Sequence, residues 1–73
     1  MIKVKDITFA NAVRLQNKKQ ENFLTSVKSL FTITFHEDKS YVTIEMDGSD
    51  DIKVVSVTNV QEMTIVREKA SKK

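Results

Sequence analysis

The sequence predicts an all-β protein, a small five-stranded barrel built on a central antiparallel meander, and three observations carry that prediction. Phe31, Ile33 and Phe35 alternate with Thr32, Thr34 and His36. Val42, Ile44 and Met46 alternate in the same way with Tyr41, Thr43 and Glu45. A loop from Glu37 to Ser40 between the two runs sets Phe35 against Val42, Ile33 against Ile44 and Phe31 against Met46. All six side chains then share one side of the hairpin, and a slip of one residue would turn every one of them to solvent.

The rest of the meander follows from turn chemistry. Asp47-Gly48-Ser49-Asp50-Asp51 is the second turn, and Gly48, the only glycine, is assigned to the one position that needs positive φ. Ile52-Lys53-Val54-Val55-Ser56-Val57 is rich in β-branched residues and reads as a third strand. Its facing is ambiguous, because Ile52 and Val54 point one way while Val55 and Val57 point the other. A bulge near Val54 and Val55, or burial on both faces, reconciles the two. Thr58 to Met63 opens with residues that favour turns and caps, and is too short for a full helix, so it is read as a 3₁₀ turn. Thr64-Ile65-Val66-Arg67 returns to strand character and closes the sheet.

The first third admits two readings. Ile2, Val4, Ile7, Phe9, Val13 and Leu15 have an alternating component that favours one or two strands. The competing reading is a helix over 10–24, built from good helix formers. Its apolar face would be Phe9, Val13, Asn17, Gln20 and Leu24, broken by polar residues at its centre. The strand reading is therefore preferred, with a polar loop from Gln16 to Asn22 and a return in which Phe23, Leu24 and Val27 cover the barrel end.

Five short strands, a long first loop and a 3₁₀ turn before the last strand resemble a small SH3-like or Sm-like β-barrel over residues 2–67. The resemblance is architectural. No acidic, aromatic-flanked first loop, tryptophan or proline is present, so no ligand groove of those families transfers to this chain. In length and in Lys, Asn and Val usage the chain also looks like small accessory proteins encoded by phages.

A chain of 73 residues makes one small domain, expected over 1–68 with a frayed basic tail over 69–73. Such a domain buries only about 60% of the surface exposed by its unfolded chain. There is no cysteine and one histidine, so neither a disulfide nor a thiolate metal site props the core. The lack of disulfides points to a cytoplasmic setting. Charges interrupt every apolar pair at the N-terminus, and no run approaches the eighteen apolar residues of a spanning helix.

Net charge is +2 but is segregated along the chain. Residues 1–28 carry six Lys/Arg against two acids, whereas residues 37–51 carry Lys39 against six acids. The acidic turns, Glu37, Asp38, Asp47, Asp50 and Asp51, are the candidate contacts to a protein partner. Lys3, Lys5, Arg14, Lys18, Lys19 and Lys28 are the candidate phosphate contacts of a nucleic-acid alternative, with Phe9, Phe23 and Tyr41 as stacking platforms.

Catalytic chemistry has little to draw on. His36 is the only imidazole, with no cysteine or second histidine beside it. Asp47, Asp50 and Asp51 do not follow the spacing of a twelve-residue calcium loop. One glycine cannot build a phosphate-cradling loop. No cofactor or metal is expected. The sequence thus points to a non-catalytic binding module of regulatory or inhibitory type, acting through protein contact. Nucleic-acid binding is the alternative, and self-assembly, which an edge strand invites, the second.

Overall fold

Phe31 stands opposite Met46, Ile33 opposite Ile44 and Phe35 opposite Val42, the register that the alternation and the loop length dictate. These residues belong to β3 (Phe31–His36) and β4 (Tyr41–Met46) of a computed structural model that describes residues 1–15 and 20–67. The other elements are β1 (Ile2–Arg14), β2 (Gln20–Thr25), β5 (Ile52–Ser56), a 3₁₀ turn at Val57–Asn59, and β6 (Val60–Ile65). There is no α-helix among the described residues. Within the 10–24 segment, residues 10–14 and 20–24 are strand.

The strands form one antiparallel sheet in the order β2-β1-β3-β4-β5, with β6 also paired to β1. β1 is bonded along both edges. Val4 pairs with Ile33 of β3 and with Ile65 of β6, and Ile7 pairs with Leu24 of β2 and with Met63 of β6. β3 and β2 therefore share one edge of β1 while β6 occupies the other. Register shifts fall between Val4 and Asp6 against β6, and between Thr8 and Val13 against β2. Such bulges bend a strand and increase its twist, which lets one long strand serve several partners in a curled sheet. Ser26 fastens the first bend, its Oγ donating to the carbonyls of Val4 at 3.0 Å and Lys5 at 3.1 Å.

The concave face holds the core. Val4, Ile7, Phe9, Val13, Leu15, Leu24, Ile33, Val42, Ile44 and Val55 are buried, and Phe31, Phe35, Val60 and Met63 pack against them. β1 supplies four of the ten, more than any other strand, because it is covered along both edges. The helix reading fails for the same reason, since Phe9 pairs with Val60 of β6 and Val13 with Glu21 of β2.

β5 is neither bulged nor buried on both faces. It pairs with β4 without a register shift, with Val42 opposite Val55 and Thr43 opposite Val54. Val55 enters the core, while Ile52 and Val54 point outward and are each 56% exposed. In the β2 return only Leu24 is buried. Phe23 turns outward at 53% exposure, and Val27 lies in an exposed turn. Alternation on β2 cannot seat Phe23 and Leu24 on one face. The 3₁₀ turn begins at Val57, one residue earlier than expected, and β6 takes over from Val60.

Positive φ is not confined to Gly48 (φ 85), since Lys28 (φ 52) and Ser40 (φ 59) share it. Gly48 is the third residue of a turn closed by the Ser49 N–H donating to the Met46 carbonyl at 3.0 Å, the position where a type II turn requires positive φ. Ser40 ends the first turn, and its N–H joins that of Lys39 on the His36 carbonyl.

Candidate functional site

The fold undoes the charge segregation of the sequence. Antiparallel strands bring distant chain segments to the same level, so bases and acids meet at each end of the sheet. Arg14, Asp51 and Lys53 line one shallow hollow with Leu15 and Ile52. Leu30, two residues beyond Lys28, accepts a hydrogen bond from the Asp47 N–H at 2.8 Å. At the opposite end, the Met1 amino group forms an ion pair with Glu37 at 3.2 Å.

The acidic candidates consequently divide. Glu37 and Asp38 sit in the β3–β4 turn, and Asp47, Asp50 and Asp51 in the β4–β5 turn. The six residues of β4 separate the two turns by ~20 Å. No group of three or more His, Cys, Asp or Glu that could hold a metal ion occurs among the described residues. The three aspartates of the second turn do not converge.

The basic candidates are dispersed as well. Lys3 and Lys5 are exposed near the start of β1, and Arg14 ends that strand. Eleven residues of extended chain put Lys3 and Arg14 ~36 Å apart along the strand. Lys28 sits in the β2–β3 turn, and Lys18 and Lys19 lie outside the described residues. Of the three aromatics assigned to stacking, Phe9 is in the core at 1% exposure, where the β6 pairing draws it. Tyr41 is half-buried against His36, with ring centroids 5.0 Å apart and planes tilted by 49°. His36 faces Tyr41 on the outer side, as the alternation requires, and its Nε2 lies 3.0 Å from Thr43 Oγ1. Phe23 alone is freely presented.

The surface that sequence reasoning left unresolved is the outer edge of β5. The Val57 N–H donates to the Ser40 carbonyl at 3.1 Å, and hydrogen-bonded pairs alternate along an antiparallel ladder. Val55 and Lys53 therefore direct their backbone groups at β4. Ile52, Val54 and Ser56 direct theirs away from it. β5 has no second partner strand among the described residues, so these groups form an open row beneath the exposed side chains of Ile52 and Val54. The signal was present in the Ile52/Val54 alternation, but only the β4 register decides which of the two apolar sets is inside.

Lys53 points to the core side opposite Ile44 and stays exposed at the mouth of the core beside Leu15 and Phe31. An inward-pointing charge at an edge is a device against indiscriminate sheet growth. Two other outer edges, of β2 and β6, are also unpaired among the described residues. β6 carries the charged Glu62 on its outer face, so β5 is the edge with an uncharged apolar surface.

No helix among the described residues is long and apolar enough to cross a membrane. Compared with known protein families, with curated proteins and with solved structures, the chain matches none.

Proposed function

We propose that this protein is a small non-catalytic binding module that engages another protein by accepting a strand on the outer edge of β5. The observation that carries the reading is the open row of Ile52, Val54 and Ser56 backbone groups under two outward apolar side chains. A strand added there gains main-chain hydrogen bonds from the row and side-chain contact with Ile52 and Val54. The acidic residues Asp50 and Asp51 at the start of β5 would bias the partner toward a basic flank.

The element order supports an SH3-like or Sm-like reading of the barrel: a long first strand, a β3–β4–β5 meander, and a 3₁₀ turn leading into a strand that returns to β1. The non-catalytic character is supported by the single histidine being engaged with Thr43 and Tyr41 and by the dispersal of the acids. Dispersal of the bases weighs in the same way against a nucleic-acid groove.

Affinity capture from host lysate tests the proposal. The parent protein is expected to retain a partner that Val54→Pro loses, with the Ile52, Val54 and Ser56 amides gaining protection from hydrogen exchange in the complex. Retention by Val54→Pro, together with loss on changing Asp47, Asp50 and Asp51 to Asn, would place the contact on the turn instead. Titration with single- and double-stranded DNA and RNA separates the alternative, for which affinity falls steeply with salt.

A further inference from the structure

The turn between β4 and β5 carries covalent chemistry that strand binding does not use. Its residues Asp47 and Gly48 are both exposed. The Gly48 N–H donates to no group among the described residues, although the amides on either side of it are engaged, Asp47 with the Leu30 carbonyl at 2.8 Å and Ser49 with the Met46 carbonyl at 3.0 Å. A Cβ at Gly48 would meet nothing within 4 Å, so this peptide can turn toward the Asp47 carboxyl without displacing a neighbour.

An aspartate followed by such an amide can close on itself. The Gly48 nitrogen attacks Cγ of the protonated Asp47 carboxyl, its proton passes to solvent, and the carboxyl hydroxyl leaves as water. A five-membered succinimide results, held by the new bond between the Gly48 nitrogen and Asp47 Cγ. Water then opens the ring. Addition at Cγ restores aspartate, whereas addition at the Asp47 carbonyl carbon breaks its bond to Gly48 and leaves the chain running through Cγ as isoaspartate. One water is lost and one regained, with no net oxidation or reduction.

Every aspartate and asparagine has access to this reaction in an unfolded chain, and the fold separates them. The amide that would attack is already hydrogen-bonded after Asp38, where Lys39 donates to the His36 carbonyl, after Asp50, where Asp51 donates to Ser49 Oγ, and after Asn59, where Val60 donates to the Val57 carbonyl. The Asn11 and Asn22 side chains are themselves engaged, with Asn59 Oδ1 and the Phe9 carbonyl. Asp6 and Asp51 precede isoleucines, whose branched side chains crowd the attacking nitrogen. Among the described residues, Asp47 alone combines a small neighbour with an amide that has no acceptor.

We propose that Asp47 and Gly48 form an ageing site, at which spontaneous isomerisation loosens the β4–β5 turn. Isoaspartate adds one carbon to the main chain between Met46 and Ser49, a length that the hydrogen bond closing the turn does not span unchanged. The first rung of β5, Ile52 opposite Glu45, follows the turn directly. The site is independent of what β5 binds.

The test is storage of the folded full chain at physiological temperature and mildly acidic pH, followed by peptide mapping and labelling with an isoaspartyl carboxyl methyltransferase. Giving up a hydrogen bond before reaction costs about a factor of ten in rate, so conversion of Asp47 is expected to exceed that of Asp38 and Asp50 about ten-fold. Asp47→Glu, which would need a six-membered ring, is expected to stay unlabelled in this turn while the fresh variant melts near the parent temperature. The isolated isoaspartate form is expected to melt below the parent and to lose exchange protection at the Ser49 amide. Equal conversion of Asp38 and Asp47 would overturn the proposal. So would conversion of Asp47 that appears only in urea, labelling of the turn in Asp47→Glu, or an isoaspartate form whose Ser49 amide is as protected as the parent's.

Discussion

Val42 stands directly opposite Val55 across the β4–β5 ladder, and both are buried, whereas Val54, one residue away, is 56% exposed. Two adjacent valines on one strand thus do opposite work. The difference extends to their backbones, because Val55 bonds to β4 and Val54 faces away from it, toward no other strand among the described residues.

Proline scanning separates the two. Val55→Pro removes a ladder donor from a buried pair and is expected to cost about 3 kcal/mol or more. Val54→Pro has no such donor to lose, and is expected to keep the fold with a loss of about 1 kcal/mol or less. Urea unfolding of the two variants provides the comparison, and equal losses would mean that the edge is not open at Val54.

Ile33 and Ile44 face one another in the core, and Thr34 points the other way. Ile33→Asp or Ile44→Asp places a carboxylate among apolar side chains, at a cost of several kcal/mol. A chain of this length has a total stability of only ~4–11 kcal/mol, so circular dichroism should find either variant unfolded. Thr34→Lys should melt cooperatively near the parent temperature.

Asn59 ties the 3₁₀ turn to β1. Its Oδ1 accepts the Asn11 N–H at 2.9 Å, and its Nδ2 donates to the Asn11 carbonyl at 3.1 Å. Asn59→Ala is expected to lose about 1–2 kcal/mol in chemical unfolding. Asn59→Asp keeps only the acceptor and should fall between the two.

At Gly48 a Cβ would meet nothing within 4 Å, so the cost of substitution is the backbone conformation alone. Gly48→Ala should cost about 1 kcal/mol, Gly48→Asn less and Gly48→Val more. A converse substitution, Ser40→Gly, relieves a positive φ and should be neutral or stabilising by up to about 1 kcal/mol. Thermal melts of the four proteins establish the order.

The hairpin was legible because both of its strands have one wet and one dry face, so Ile33 and Ile44 could be paired from alternation alone. β5 was not, since it carries apolar residues on both faces and only the position of β4 assigns Val55 inward. Phe9 was misplaced for a similar reason: its burial depends on Val60, which opposes it from the far end of the chain. Asn59 looked like any turn residue, because its partner, Asn11, is 48 positions away. The positive φ of Lys28 and Ser40 had no signal, as neither residue type favours it. At the surface, a one-dimensional tally separates bases from acids along the chain, but Arg14 and Asp51 share one hollow.

Because β1 is gripped by β6 on one edge and by β3 and β2 on the other, it leaves the ribosome ahead of all its partner strands and is among the last to be completed. Val4 and Ile7 wait for Ile65 and Met63, which at about 5–20 residues per second is a delay of ~3–12 s. During that interval the β3–β4–β5 meander can form from neighbours in sequence, but Ile7 and Phe9 remain uncovered on the nascent chain. The strand that contributes most to the finished core is therefore also the stretch on which a chaperone would act.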